Sequence, residues 1–194
     1  ALLSKLFTRG FRIQLIESEQ IGTIGVGEAT IPAIRNYLQI AGIDEAEMIR
    51  ETQATFKLGI EFVDWRRPGS SYIHGFGNIG RDLLWLHMHQ FWLRARQLGI
   101  DEPFDHFAIN TAAARANRFA QPDKRNPDSP MADIDYAYHL DASLLAAFLR
   151  RRSEAMGVER IEGKIVDANL DGESGHVAHV TLEGGATVAG DLFI

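Results

Sequence analysis

Two features of the sequence could carry chemistry: the run Gly25-Val26-Gly27-Glu28-Ala29-Thr30-Ile31-Pro32, and Lys57, which follows the helices expected after it. Glycines separated by one residue permit positive φ and let main chain approach a bulky ligand. Thr30 and Pro32 are residue types that cap and start helices. The run therefore reads as a strand-to-helix loop with exposed amides. It departs from the dinucleotide glycine fingerprint, because Glu28-Ala29-Thr30 stand where the third glycine would be. A loop that only turns the chain would look the same. Lys57 lies in residues 56–65, where period two puts Phe56, Leu58, Ile60 and Phe62 on one face and Lys57, Gly59, Glu61 and Val63 on the other. Such a strand holds Lys57 opposite the core, and Gly59 leaves room beside it. A same-face ion pair with Glu61 is the alternative.

The elements that must position these residues follow from periodicity and punctuation. Residues 1–7 read as the latter part of an apolar helix, and residues 11–17 as a strand that ends in Glu17. In dinucleotide-binding α/β folds the second strand ends in an acid that bonds the adenosine ribose, about 20 residues beyond the glycine fingerprint. Glu17 takes that place, with a solvated strand-end carboxylate as the alternative. The fingerprint would then precede Ala1. Residues 191–194 stop on a strand pattern without a turn, so the expectation is a piece of a longer protein.

Ile31, Ile34, Leu38 and Ala41 form an apolar helix face closed by Gly42, and Asp44 with Glu47 makes a capping-box start for a second helix. Residues 66–80 read as a glycine-supported loop whose Tyr72, His74 and Phe76 could stack on a flat ligand or merely pin the loop. A helix is expected over 83–98, ended by Gly99. It would place His87 and His89 on different faces and argues against a metal there. Another helix is expected over 105–118, then a polar loop over 121–131. A strand over 136–140 leads to Asp141, a predicted N-cap for a helix over 142–156, with Arg150, Arg151 and Arg152 on a solvated face. Strands over 161–170, 176–182 and 186–189 complete a β-meander.

Composition bounds the function. The chain has 194 residues, 45% hydrophobic and 24% charged, with a formal net charge of -6. That balance is globular and argues against a dedicated nucleic-acid binder. No run of about 18 apolar residues or secretory leader is present. The absence of cysteine rules out disulfides, thiolate metal sites and cysteine nucleophiles, and is compatible with a cytoplasmic location.

Taken together, the run from Ile24 to Pro32, Phe56-Lys57, His74-Gly75-Phe76 and Tyr138-His139-Leu140-Asp141-Ala142 resemble the flavin-dependent tryptophan halogenase family, in the right order and across almost the whole chain. The resemblance implies an α/β, flavoprotein-monooxygenase-like fold with a β-meander, residues 1–194 being part of one FAD-binding halogenase domain. It implies FAD as FADH2 from a separate flavin reductase, a halide ion, and an indole or tryptophan-like substrate, in a setting such as antibiotic biosynthesis. Neither nucleic acid nor membrane is an expected partner, and the choice between monomer and homodimer stays open. Lys57 matches the family's essential lysine, which directs hypohalous acid onto the aromatic carbon. Glu17, Ser18, Ile21 and Ala29 match positions that line FAD, with Ile165 on the meander, while His74 and Phe76 match the rings that sandwich the indole. An aromatic hydroxylase on the same fold, or a degenerate flavin-binding relative, are the competing readings.

Overall fold

A computed structural model describes residues 1–7, 10–21 and 29–194. In chain order these form α1 (Leu2–Leu6), β1 (Gln14–Glu17), α2 (Ala33–Ile40), α3 (Glu45–Thr52), β2 (Thr55–Lys57), β3 (Gly59–Val63), β4 (Ser71–Gly75) and α4 (Met88–Gln97). They continue with α5 (Ile109–Arg115), β5 (Ala137–His139), α6 (Ala142–Ala155), β6 (Glu159–Glu162), β7 (Ile165–Leu170), β8 (Val177–Leu182) and β9 (Thr187–Ala189). The fold is mixed α/β, as expected. It divides into two compact units, one of residues 1–26 with 142–194 and one of residues 27–141.

In the first unit β1 and β6 pair in parallel, from Gln14 opposite Glu159 to Glu17 opposite Glu162. Parallel neighbours need a long crossover, and α6 is the element that feeds β6, stopped by Gly157 at φ +88°. The strand expected over 161–170 is two strands in two sheets. β6 lies beside β1, whereas β7 joins β8 and β9 in an antiparallel meander. Between them Gly163 donates its amide to Glu17 O (2.9 Å), and a Cβ there would come within 2.9 Å of Leu182 Cδ1. Alternation shows that a segment is extended but not which neighbour it pairs with, so the switch of sheet left no periodic mark.

The second unit keeps the predicted start of α3, where Asp44 Oδ1 accepts from Glu47 N (2.8 Å), and the stop of α2 near Gly42 at φ +64°. Leu38, Met48, Leu58, Ile134 and Tyr138 are among its buried residues. Phe56 stacks on Phe119 with ring centroids 3.7 Å apart and meets Tyr136 edge-on at 5.5 Å. Glu45 Oε1 accepts from both Tyr136 and Tyr138 hydroxyls. Burial, then the hydrogen bond to Glu45, pushes both phenols above their ordinary range.

Several expectations for this unit are corrected. Residues 56–65 are not one strand: the ladder breaks at Leu58, β2 pairing with β5 and β3 with β4. The loop expected over 66–80 contains β4, which closes a hairpin with β3. The helix expected over 83–98 begins at Met88, after a turn in which Leu83 and Leu86 exchange hydrogen bonds and Leu84 takes φ +56°. The helix expected over 105–118 is a 3-10 turn (Phe104–Phe107) and then α5, separated by Ala108 in an extended conformation. Thr30 does not cap α2, whose N-terminus has no side-chain cap, because its hydroxyl is committed to β5.

Candidate functional site

The second unit brings Lys57, Phe76 and part of the glycine-run loop together. Gly25 to Glu28 lie outside the described residues, but Ala29 forms a bridge with His139 on the side of β5, and β2 pairs the same strand. Thr30 locks this junction. Its amide donates to Tyr138 O (2.9 Å), and its hydroxyl accepts from Tyr138 N (2.9 Å) and lies 3.1 Å from Tyr138 O. The carbonyl of Thr30 then accepts from Lys57 Nζ at 3.1 Å.

Lys57 sits at the end of β2 opposite Ala137, and only 9% of it is exposed. This corrects the expectation of a lysine facing away from the core. The Lys57–Glu61 ion pair is also absent: Glu61 bonds Ser71, its near neighbour on β4. Among the described residues the amine meets no carboxylate at ion-pair distance. Its second contact is the Phe76 ring, whose centroid lies 5.5 Å from Nζ, within cation–π range.

Phe76 and His74 leave β4 with the same parity as Tyr72. His74 stands opposite Ile60 and is exposed, while Phe76 is half-buried just past the strand. The other face of the hairpin carries Gly59 opposite Gly75 and packs closely on α5. A Cβ on Gly59 would collide with the His74 carbonyl, and one on Gly75 would lie 3.0 Å from Asn110 Cβ. Glycine on one face therefore lets the hairpin seat itself, and the other face carries the rings.

In the first unit Glu17 ends β1. Arg160 Nε donates to its Oε1 (2.5 Å), and Arg150 Nε lies 2.7 Å from the same oxygen in a charge contact without hydrogen-bond alignment. Arg160 also reaches Glu19 (3.2 Å) and Glu162. The hydrogen bond to Glu17, with the Glu162 and Glu19 charges, holds the Arg160 guanidinium above its ordinary value. Arg150 thus departs from the expected solvated face. Glu17 is thus a carboxylate held at a parallel strand end through its Oε1. Ser18 is half-buried beside it, and Ile21 and Ile165 are exposed at 57% and 46%.

His87 and His89 do not lie on different faces of a helix as expected. His87 precedes α4, and the two rings stack 5.9 Å apart. Among the described residues no group of three or more His, Asp or Glu could hold a metal ion, and no helix is long and apolar enough to cross a membrane. Sequence reasoning missed Asn110, a fully buried amide bonded to the main chain next to Lys57. An asparagine near a helix start reads as a cap, so its residue type gave the wrong signal.

A family model described as Tryptophan halogenase matches residues 1–194. Xcc4156, a flavin-dependent halogenase from Xanthomonas campestris, is 45% identical with a TM-score of 0.88, covering 99% of this chain and 38% of its own. BrvH, a flavin-dependent halogenase from Brevundimonas sp. BAL3, is 39% identical with a TM-score of 0.87, at 99% and 38% coverage. Tryptophan 6-halogenase SttH from Streptomyces toxytricini is 31% identical over 212 residues, 99% of this chain and 40% of its own. The chain thus spans about two-fifths of the length of these relatives. With the match running from the first residue to the last, the chain belongs to the tryptophan halogenase family.

Proposed function

We propose that the chain is the flavin-binding and lysine-bearing part of a flavin-dependent halogenase that installs chloride or bromide on an indole or tryptophan-like ring. Its two units are read as parts of one FAD-binding domain. The observation that carries the reading is the Lys57 amine, withdrawn from water without a carboxylate partner among the described residues and set against an aromatic ring. A lysine costs free energy to bury, and a site that keeps one is a candidate for function.

Bound FADH2, delivered by a separate reductase, would supply the activated oxygen that oxidises halide to hypohalous acid. The first unit has residue types that suit such a cofactor: we read Glu17 as the acceptor for ribose hydroxyls, with Ser18, Ile21 and Ile165 of the same unit as lining residues. In the halogenation step the aromatic carbon bonds the halogen, the O–X bond breaks, and the oxygen leaves as water with the ring proton. An N–H of Lys57 directed at that oxygen orients the acid and stabilises the charge developing as the bond breaks. His74 and Phe76 offer ring faces and edges to hold the substrate indole.

The test uses the full-length protein with FAD, a flavin reductase, NADH, oxygen and bromide, offered tryptophan and indole, with products read by mass spectrometry. The expected result is the paired bromine isotope signature in wild type and its loss in Lys57→Ala with FAD still bound. An oxygenated product formed without halide would replace this reading by a hydroxylase.

A further inference from the structure

One buried side chain has no place in the chemistry above and yet touches the main chain beside it. Asn110, in the first turn of α5, is 0% exposed, where a polar group persists only if hydrogen-bonded. Its Nδ2 donates to Leu58 O (2.9 Å) and to Asp135 O (2.5 Å), and its Oδ1 accepts from Asp135 N (3.3 Å). Each partner adjoins a segment of the candidate site. Leu58 follows Lys57, and its carbonyl also accepts the Phe76 amide (2.9 Å). Asp135 lies two residues before Ala137, the strand partner of Lys57. One amide group therefore ties together the segments that carry the lysine, the aromatic ring and the strand beneath them.

The neighbouring glycines leave room for this side chain. A Cβ on Gly77 would come within 2.5 Å of Asn110 Oδ1, and one on Gly75 within 3.0 Å of its Cβ. The three contacts require two donors and one acceptor on a short planar group, which asparagine has. Serine has one donor, ionised aspartate has none, and glutamine is longer by a methylene.

We propose that Asn110 is a positioning residue for the Lys57–Phe76 pair, holding the Leu58 peptide so that amine and ring keep their separation. Fully buried, it acts through the main chain. The inference deepens the reading of Lys57 given above and rests on it for its functional meaning.

The experiment labels full-length wild type and Asn110→Ala with an amine-reactive acetylating ester and reads each lysine by peptide mass spectrometry. Lys5, Lys124 and Lys164 are internal references. The expected result is that Lys57, slow in wild type, reacts about tenfold faster in the variant, the equivalent of about 1.4 kcal/mol, while the references stay within about twofold. No change at Lys57, or a rise at all four lysines together, overturns the proposal. Steady-state kinetics give a second readout. Displacing both amine and ring lowers kcat and raises KM, whereas a merely structural loss removes active molecules and leaves KM unchanged. Labelling needs no turnover, so it stands even if Lys57→Ala keeps its product and the reading of Lys57 fails instead. If Asn110→Ala does not fold, wild type labelled with 15N-asparagine decides: a slowly exchanging Asn110 side-chain amide supports the proposal, and exchange at the rate of exposed asparagines overturns it.

Discussion

Lys57 is kept from water by packing and a main-chain acceptor, without an opposing charge among the described residues. A buried lysine held this way contributes little to stability, since its desolvation cost offsets one hydrogen bond and one ring contact. Lys57→Met replaces it with an apolar side chain of similar length. The variant is expected to hold stability within about 1 kcal/mol of wild type, or to exceed it, while product formation falls by at least about 10²-fold. Denaturant melts beside product mass spectrometry check both arms. A large loss of stability would show that the lysine is there for the fold.

The β3–β4 hairpin is the element that places the rings, and its fit depends on Gly59. A methyl there would strike the His74 carbonyl across the ladder, and 3.0 Å separates it from Gly75 Cα. Gly59→Ala is expected to cost about 1–3 kcal/mol. Gly172→Ala, where a Cβ meets nothing within 4 Å and φ is not positive, should stay within about 0.5 kcal/mol. Equal effects in urea titrations would mean that the ladder yields at no cost. The same hairpin marks how far the sequence could be read. Local signals were legible: the Asp44 cap, the helix stops near Gly42, Gly99 and Gly157, and the β7–β8–β9 meander. Pairings were not. Residues 56–63 look like one alternating strand, but β2 pairs a strand about 80 residues further on, and β3 pairs the next segment. Alternation is identical in both cases, so the break at Leu58 and the burial of Lys57 could not be seen. Thr30 misled for a related reason: its type suits a cap, but its strand partner claimed the hydroxyl first.

Across the whole molecule, the tyrosines set the alkaline limit. Tyr136 and Tyr138 are raised by burial and then by Glu45, and Tyr37 by burial. A phenol that holds its proton more tightly when folded favours the fold fully below the ordinary value of about 10. Above that value the unfolded chain ionises first, and stability is lost as pH rises towards the folded value. The denaturant midpoint should therefore fall between about pH 9 and about pH 11, and fall less steeply in Tyr138→Phe. A variant slope equal to that of wild type would remove Tyr138 from this account. On the acid side the lowered groups, Asp82, Glu159 and Asp171, are all exposed and should give only a shallow dependence.

The atoms that hold Lys57 in place are largely backbone. Thr30 O takes its amine, and Leu58 O takes the Phe76 amide. No codon specifies a carbonyl, so point substitutions at positions 30 and 58 leave these acceptors in existence, whatever they cost at the Thr30 hydroxyl and the buried Leu58 side chain. An inserted or deleted residue between Thr30 and Lys57, or between Leu58 and Phe76, would shift the register of the acceptors themselves. Lineages carrying this arrangement should therefore tolerate divergence in sequence while purging changes in segment length.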